Sequence, residues 1–155
     1  MFAWLESTQI AQWVGLSLWG YPMLLSMHVI GLAIVVGLFS MRDLRLLGVV
    51  GGLEPTAYLS LNKLAWTGFT INAISGCFLF TSQAMTFISS IPFLLKISCV
   101  VAGMLLAVVI QGKLQRELAE ADYGQPLGNS MKLLALGSLC VWIGAIVAGR
   151  LTAYL

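Results

Sequence analysis

The stretch Tyr21–Gly48, YPMLLSMHVIGLAIVVGLFSMRDLRLLG, decides the fold. From Pro22 to Met41 it holds no charged residue, and its only ionisable side chain is His28, the single histidine of the chain. About 20 apolar residues in a helix cross a hydrocarbon layer of ~30 Å. This run predicts a transmembrane helix over 22–41.

Three more stretches meet the same requirement: 64–88 (LAWTGFTINAISGCFLFTSQAMTFI), 92–112 (PFLLKISCVVAGMLLAVVIQG) and 131–154. The whole composition agrees with them. Of 155 residues, 59% are hydrophobic and 9% charged, where soluble domains carry about 25% charged residues. Inside lipid a helix satisfies its own backbone. The expected fold is therefore all-α, a single integral membrane domain over 1–155 built as a four-helix bundle. Pro22 and Pro92 suit helix starts, where a missing N–H costs nothing. A short helix over about 8–19, capped by Ser7 or Thr8, precedes the first span. Its Trp13 and Trp19 suit a helix lying in the membrane interface, although it could equally extend the first span.

After the third span, KLQRELAEADYGQPLG reads as a helical extension with i,i+4 pairs Lys113–Glu117 and Arg116–Glu120, ended by Gly124 and Pro126. DLRLLGVVGGLEPTAYLSLNK, from Asp43, reads as an interfacial loop in which Asp43 pairs with a neighbouring arginine. A net charge of +2 gives nucleic acid no footing. Cys77, Cys99 and Cys140 stand singly in apolar runs and read as packing residues. There is no leader with a basic start, so the chain is expected to be kept whole.

Basic residues set the expected orientation. Arg42, Arg45 and Lys63 follow the first span, and Lys113, Arg116 and Lys132 follow the third, whereas SSIP between the second and third has none. Both charged connections fall on one side, expected to be cytoplasmic, with the N-terminus and the C-terminus outside a bacterial inner membrane.

Counting from the outer ends places His28, Gln83, Lys96 and Arg150 at similar depth on four different helices. Ionisable residues at such depth are costly and usually face a functional interior. The four are the expected cofactor-binding residues, with His28 as the metal ligand and no catalytic residue assigned. The plain alternatives stand beside this: Lys96 and Arg150 can snorkel to the surface, and His28 can be a packed residue. Gly31, one turn on from His28, would leave room for something flat beside the imidazole, or is a close helix-packing position. Asn72, Gly76, Leu79 and Gln83 share one face of the second span. Met23 and Met27 beside His28 raise copper as a less favoured ligand.

The order His28, GLAIVVGLF, Arg42 resembles the first span of HemJ-type protoporphyrinogen oxidases, and IPFLLK with Lys96 resembles their lysine-bearing span. That resemblance implies a b-type haem near His28 with Lys96 close by. HVIGLAIVVGLFSMRDLRLLG is also similar to a group of uncharacterised four-span bacterial membrane proteins with a DLRLLG element and late GR and AY pairs, here Gly149–Arg150 and Ala153–Tyr154. CopD-type membrane proteins share the layout more loosely. The expected function is a membrane protein binding haem b, or a related redox cofactor such as a quinone, near the periplasmic side. It would take part in electron transfer, and as an enzyme it would be a haem- or quinone-linked oxidoreductase. The alternative is a non-catalytic small subunit, or a lipid-binding or assembly protein, of a larger membrane complex. Expected partners are membrane lipid and a second copy of the chain or a larger complex.

Overall fold

The computed structural model describes residues 2–51, 55–120, 128–152 and 154. Among them every regular element is a helix: α1 (Phe2–Glu6), α2 (Gln9–Leu16), α3 (Gly20–Leu46), α4 (Pro55–Ser82), α5 (Ala84–Ser89), α6 (Ile91–Glu120) and α7 (Asn129–Leu151). Helices α3, α4, α6 and α7 each contain a stretch long and apolar enough to cross a membrane. The chain is an all-α, multi-pass membrane protein.

The distribution of side chains inverts that of a soluble bundle. Leu133 is 71% exposed, and Val101, Leu105 and Ile143 also face outward. Arg42, Asp43, Asn72, Ser75, Gln111 and Ser138 are buried. Apolar side chains outward and polar ones inward is the arrangement that lipid selects.

The bundle consists of two hairpins. Helix α3 packs along α4 and α6 along α7; α3 and α7 form the seam between the pairs, while α4 and α6 touch least among the neighbours. Val35, Phe39, Ala65, Met104, Ala107, Trp142 and Ala145 fill the centre, with Phe39 stacked on Trp142 at 5.9 Å. Leu46, Ile110, Leu114, Met131 and Ala135 pack the end where α3 stops and α7 begins.

Three boundaries differ from the sequence expectation. Helix α3 runs on to Leu46 rather than stopping at Met41, because Arg42 and Asp43 pair with each other inside the helix. Helix α4 begins at Pro55, so much of the expected loop is helical. The second span also ends at Ser82, and Gln83 breaks the chain before the short α5. Helix α6 extends to Glu120 as expected. The expected stop at Gly124 and Pro126, Ala153, and the side chains of Glu117 and Glu120 lie outside the described residues.

The N-terminal arm is separate from the first span. The Thr8 hydroxyl accepts from the Ala11 N–H to start α2, and the Ser17 hydroxyl accepts from the Gly20 N–H to start α3. Ala11 and Val14 are buried where α2 meets α3 and α4, while Trp13 and Trp19 are exposed. The Glu6 carboxylate accepts the Met85 N–H at 2.8 Å, tying α1 to α5.

Candidate functional site

His28 lies eight residues into α3, about 12 Å along the axis, and Lys96 lies five residues into α6, about 7.5 Å from its start at 1.5 Å per residue. Antiparallel hairpins bring these two depths together. The Lys96 Nζ is 3.3 Å from the His28 Nε2. On its other side the imidazole is held by α4. Nδ1 lies 2.9 Å from the Asn72 backbone carbonyl. A carbonyl can only accept, so Nδ1 carries the ring proton and Nε2 presents its lone pair to Lys96. The Ser75 hydroxyl, 3.4 Å from Nδ1, donates to the Ile71 and Asn72 carbonyls. The Asn72 side-chain amide in turn donates to the His28 carbonyl at 2.8 Å. His28 and Asn72 thus exchange hydrogen bonds across the α3–α4 contact.

Two glycines make this approach possible. A Cβ at Gly76 would lie 2.9 Å from His28 Cε1, so Gly76 makes the space that the ring occupies. A Cβ at Gly31 would lie 2.7 Å from the Asn72 nitrogen and from the Gly68 oxygen. The space beside Gly31 is therefore filled by the backbone of α4, and of its two sequence readings the packing one describes the position. The Lys96 stem runs beside Gly149 of α7.

Of the four expected site residues the structure joins two, His28 and Lys96. Gln83 is exposed at the break between α4 and α5. Arg150 is exposed, and its Nη2 donates to the Tyr154 hydroxyl at 3.0 Å with the guanidinium over that ring. Neither makes a hydrogen bond to His28 or Lys96 among the described residues. Met23, Met27 and Met85 are exposed, whereas both ring nitrogens of His28 are engaged by α4 and α6. One turn before His28, Leu24 helps line an apolar cleft of about 420 Å³ with Gln9, Ile10, Trp13 and Phe78.

A second polar cluster occupies the opposite end of the bundle. Arg42 Nε and Nη2 both donate to Asp43 Oδ1, at 3.0 and 2.8 Å, and Nη1 donates to the Ala107 carbonyl at 3.3 Å. The guanidinium stands over the Phe39 ring at 5.0 Å. Gln111 Nε2 and Trp142 Nε1 are buried without a hydrogen-bond partner among the described residues, whereas the buried Ser138 hydroxyl interacts with the Asp43 carboxylate. Asp43, expected to pair with a neighbouring arginine in a loop, pairs with Arg42, and both stand in α3. Ser75, Gln111, Ser138 and Trp142 the sequence reading passed over. Ser75 follows Asn72 at i+3 on the stripe already noted, which is the signal that could have found it.

The whole chain, residues 1–155, matches one family. It belongs to DUF6644, a family of unknown function. No curated protein and no solved structure matches it. Membership fits the sequence similarity to an uncharacterised group and brings no activity with it.

Proposed function

We propose that the protein binds a redox cofactor at the His28–Lys96 centre and takes part in electron transfer within the membrane, with a quinone head group as the occupant that the geometry fits most directly. The 3.3 Å contact between Lys96 Nζ and His28 Nε2 carries this reading. It sets a hydrogen-bond donor and an acceptor side by side within the apolar span of the bundle. A quinone carbonyl accepts from another N–H of Nζ, and the hydroxyl of its reduced form donates to Nε2 once Lys96 has turned from it. The imidazole is already oriented, because the Asn72 carbonyl fixes its tautomer.

A b-type haem is the second reading, favoured by one observation. A histidine whose Nδ1–H is committed to a backbone carbonyl is oriented as metal-bound histidines are, with Nε2 left as the ligand. Bound haem would supply one-electron chemistry. His28 would hold the iron, and Lys96 would have to leave Nε2 to make room.

Extraction of the detergent-purified protein, with visible spectra of the oxidised and dithionite-reduced forms, tests both. Quinone recovered near one per chain, and lost in His28→Ala and Lys96→Met, is the expected result. A Soret band with reduced α and β bands, lost in His28→Ala, would replace quinone by haem. A colourless preparation without quinone removes the redox reading and leaves the lipid-binding or assembly subunit; copper, the third reading, would register in metal analysis.

The reading includes an orientation, with the His28 end on the outer face of a bacterial inner membrane. Arg45, Lys63, Lys113, Arg116 and Lys132 cluster at the other end, against Lys96 and Arg150 at this one. With Cys77, Cys99 and Cys140 replaced by serine, Gln83→Cys should label with an impermeant reagent from outside intact cells, and Arg116→Cys only after the cells are opened. The reverse pattern would invert the topology.

A further inference from the structure

Gln111 is 8% exposed and its Nε2 has no partner among the described residues. An amide left this way in an apolar interior loses its hydration without return. Yet Gln111 does not face solid packing. With Arg42 and Asn62 it lines a half-open crevice of about 10 Å³, whose other walls are Leu38, Phe39, Leu61 and Ala65. That is about the space one water needs, and such a water requires two to four polar partners. Three polar side chains from three helices surround this space: Arg42 on α3, Asn62 on α4 and Gln111 on α6. The crevice is walled by α3, α4 and α6, so a molecule of this size enters from its open side.

We propose that this crevice is a binding site for a single structural water, held between Arg42, Asn62 and Gln111. The volume excludes a larger ligand. The charges exclude an ion, since Arg42 is already neutralised by Asp43. The water accepts from the Gln111 amide and ties α6 to α3 and α4 at the level of the buried ion pair. It extends the polar shell of the guanidinium, whose other donors go to Asp43 and to the Ala107 carbonyl. This site is independent of any cofactor at His28.

The sign of one substitution separates a wet crevice from a dry one. In a dry crevice, Gln111→Leu removes an unsatisfied amide and raises the thermal midpoint of the micelle-purified protein. With water bound, Gln111→Leu strands it, and the midpoint falls by about 3 °C or more. Nuclear Overhauser transfer from water to the Gln111 side-chain amide protons, in the unmodified protein in deuterated detergent, reads the same site without mutation. A cross-peak with a bound-water sign is expected, and it should vanish in Ala65→Leu, which fills the crevice. A raised midpoint in Gln111→Leu, or no cross-peak in the unmodified protein, overturns the proposal.

Discussion

Asp43→Leu is expected to cost the protein a large share of its stability, and Arg42→Leu combined with Asp43→Leu is expected to return much of it. Arg42 is 2% exposed and Asp43 not at all. Removing the carboxylate leaves a buried guanidinium with neutral groups, such as the Ala107 carbonyl and the Phe39 ring, to meet its charge. Breaking a buried pair from one side costs about 3–5 kcal/mol. Whole proteins are stable by about 5–15 kcal/mol, so the single variant should lose about 10 °C of thermal midpoint or more. It should also emerge largely aggregated from size-exclusion chromatography. Replacing both partners by leucine removes the stranded charge together with its desolvation cost, and such exchanges are often neutral or better. The double variant should therefore run closer to the parent than the single one. An Asp43→Leu protein that melts with the parent would show that the ion pair holds nothing together.

Gly31→Ala is expected to have the second largest effect, although it adds one methyl group. That methyl would fall 2.7 Å from backbone atoms of both Asn72 and Gly68. Backbone cannot rotate aside as a side chain does, so α3 and α4 must separate. Overpacking of this kind costs about 1–3 kcal/mol. Here it also stretches the two hydrogen bonds that His28 and Asn72 exchange. A loss of several degrees in the midpoint is expected. Gly37→Ala is the control on the same helix. Nothing lies within 4 Å of its missing Cβ, and alanine gains up to about 1 kcal/mol of helix propensity. Its midpoint should hold or rise. Equal losses in the two variants would mean that the helix resists alanine generally and that the α3–α4 contact is not the reason.

Much of the architecture was legible because lipid imposes a crude rule. A stretch of apolar residues long enough to cross must be a helix, and four such stretches stand out. The boundaries were harder. Arg42 and Asp43 look like the end of a span until the structure shows them cancelling each other, and Pro55 looks like a loop residue until it opens α4. For the site, counting residues from the helix ends set His28 and Lys96 at the same level, and the structure joins the two. Rotation was legible on the second span alone, where the stripe through Asn72 and Leu79 is buried. In a water-soluble helix the polar face marks the outside, but along the other spans too few polar residues stand out to mark either side. Gln83 and Arg150 share the expected depth with His28 and still point elsewhere. Gly31 shows the same limit, since nothing in its neighbours along the chain says that α4 fills its empty side.

The two hairpins also define where the molecule is fastened. Their seam along α3 and α7 acts as the spine of a book, and the edge between α4 and α6 is the side on which the covers meet only lightly. Three clasps cross between the covers: His28 to Lys96 and Phe80 stacked on Phe93 near one end, and Arg42 to the Ala107 carbonyl near the other. The short α5 also binds the covers together at the His28 end. Anything that takes Lys96 from His28 undoes one clasp, and the phenylalanine stack still holds that corner shut.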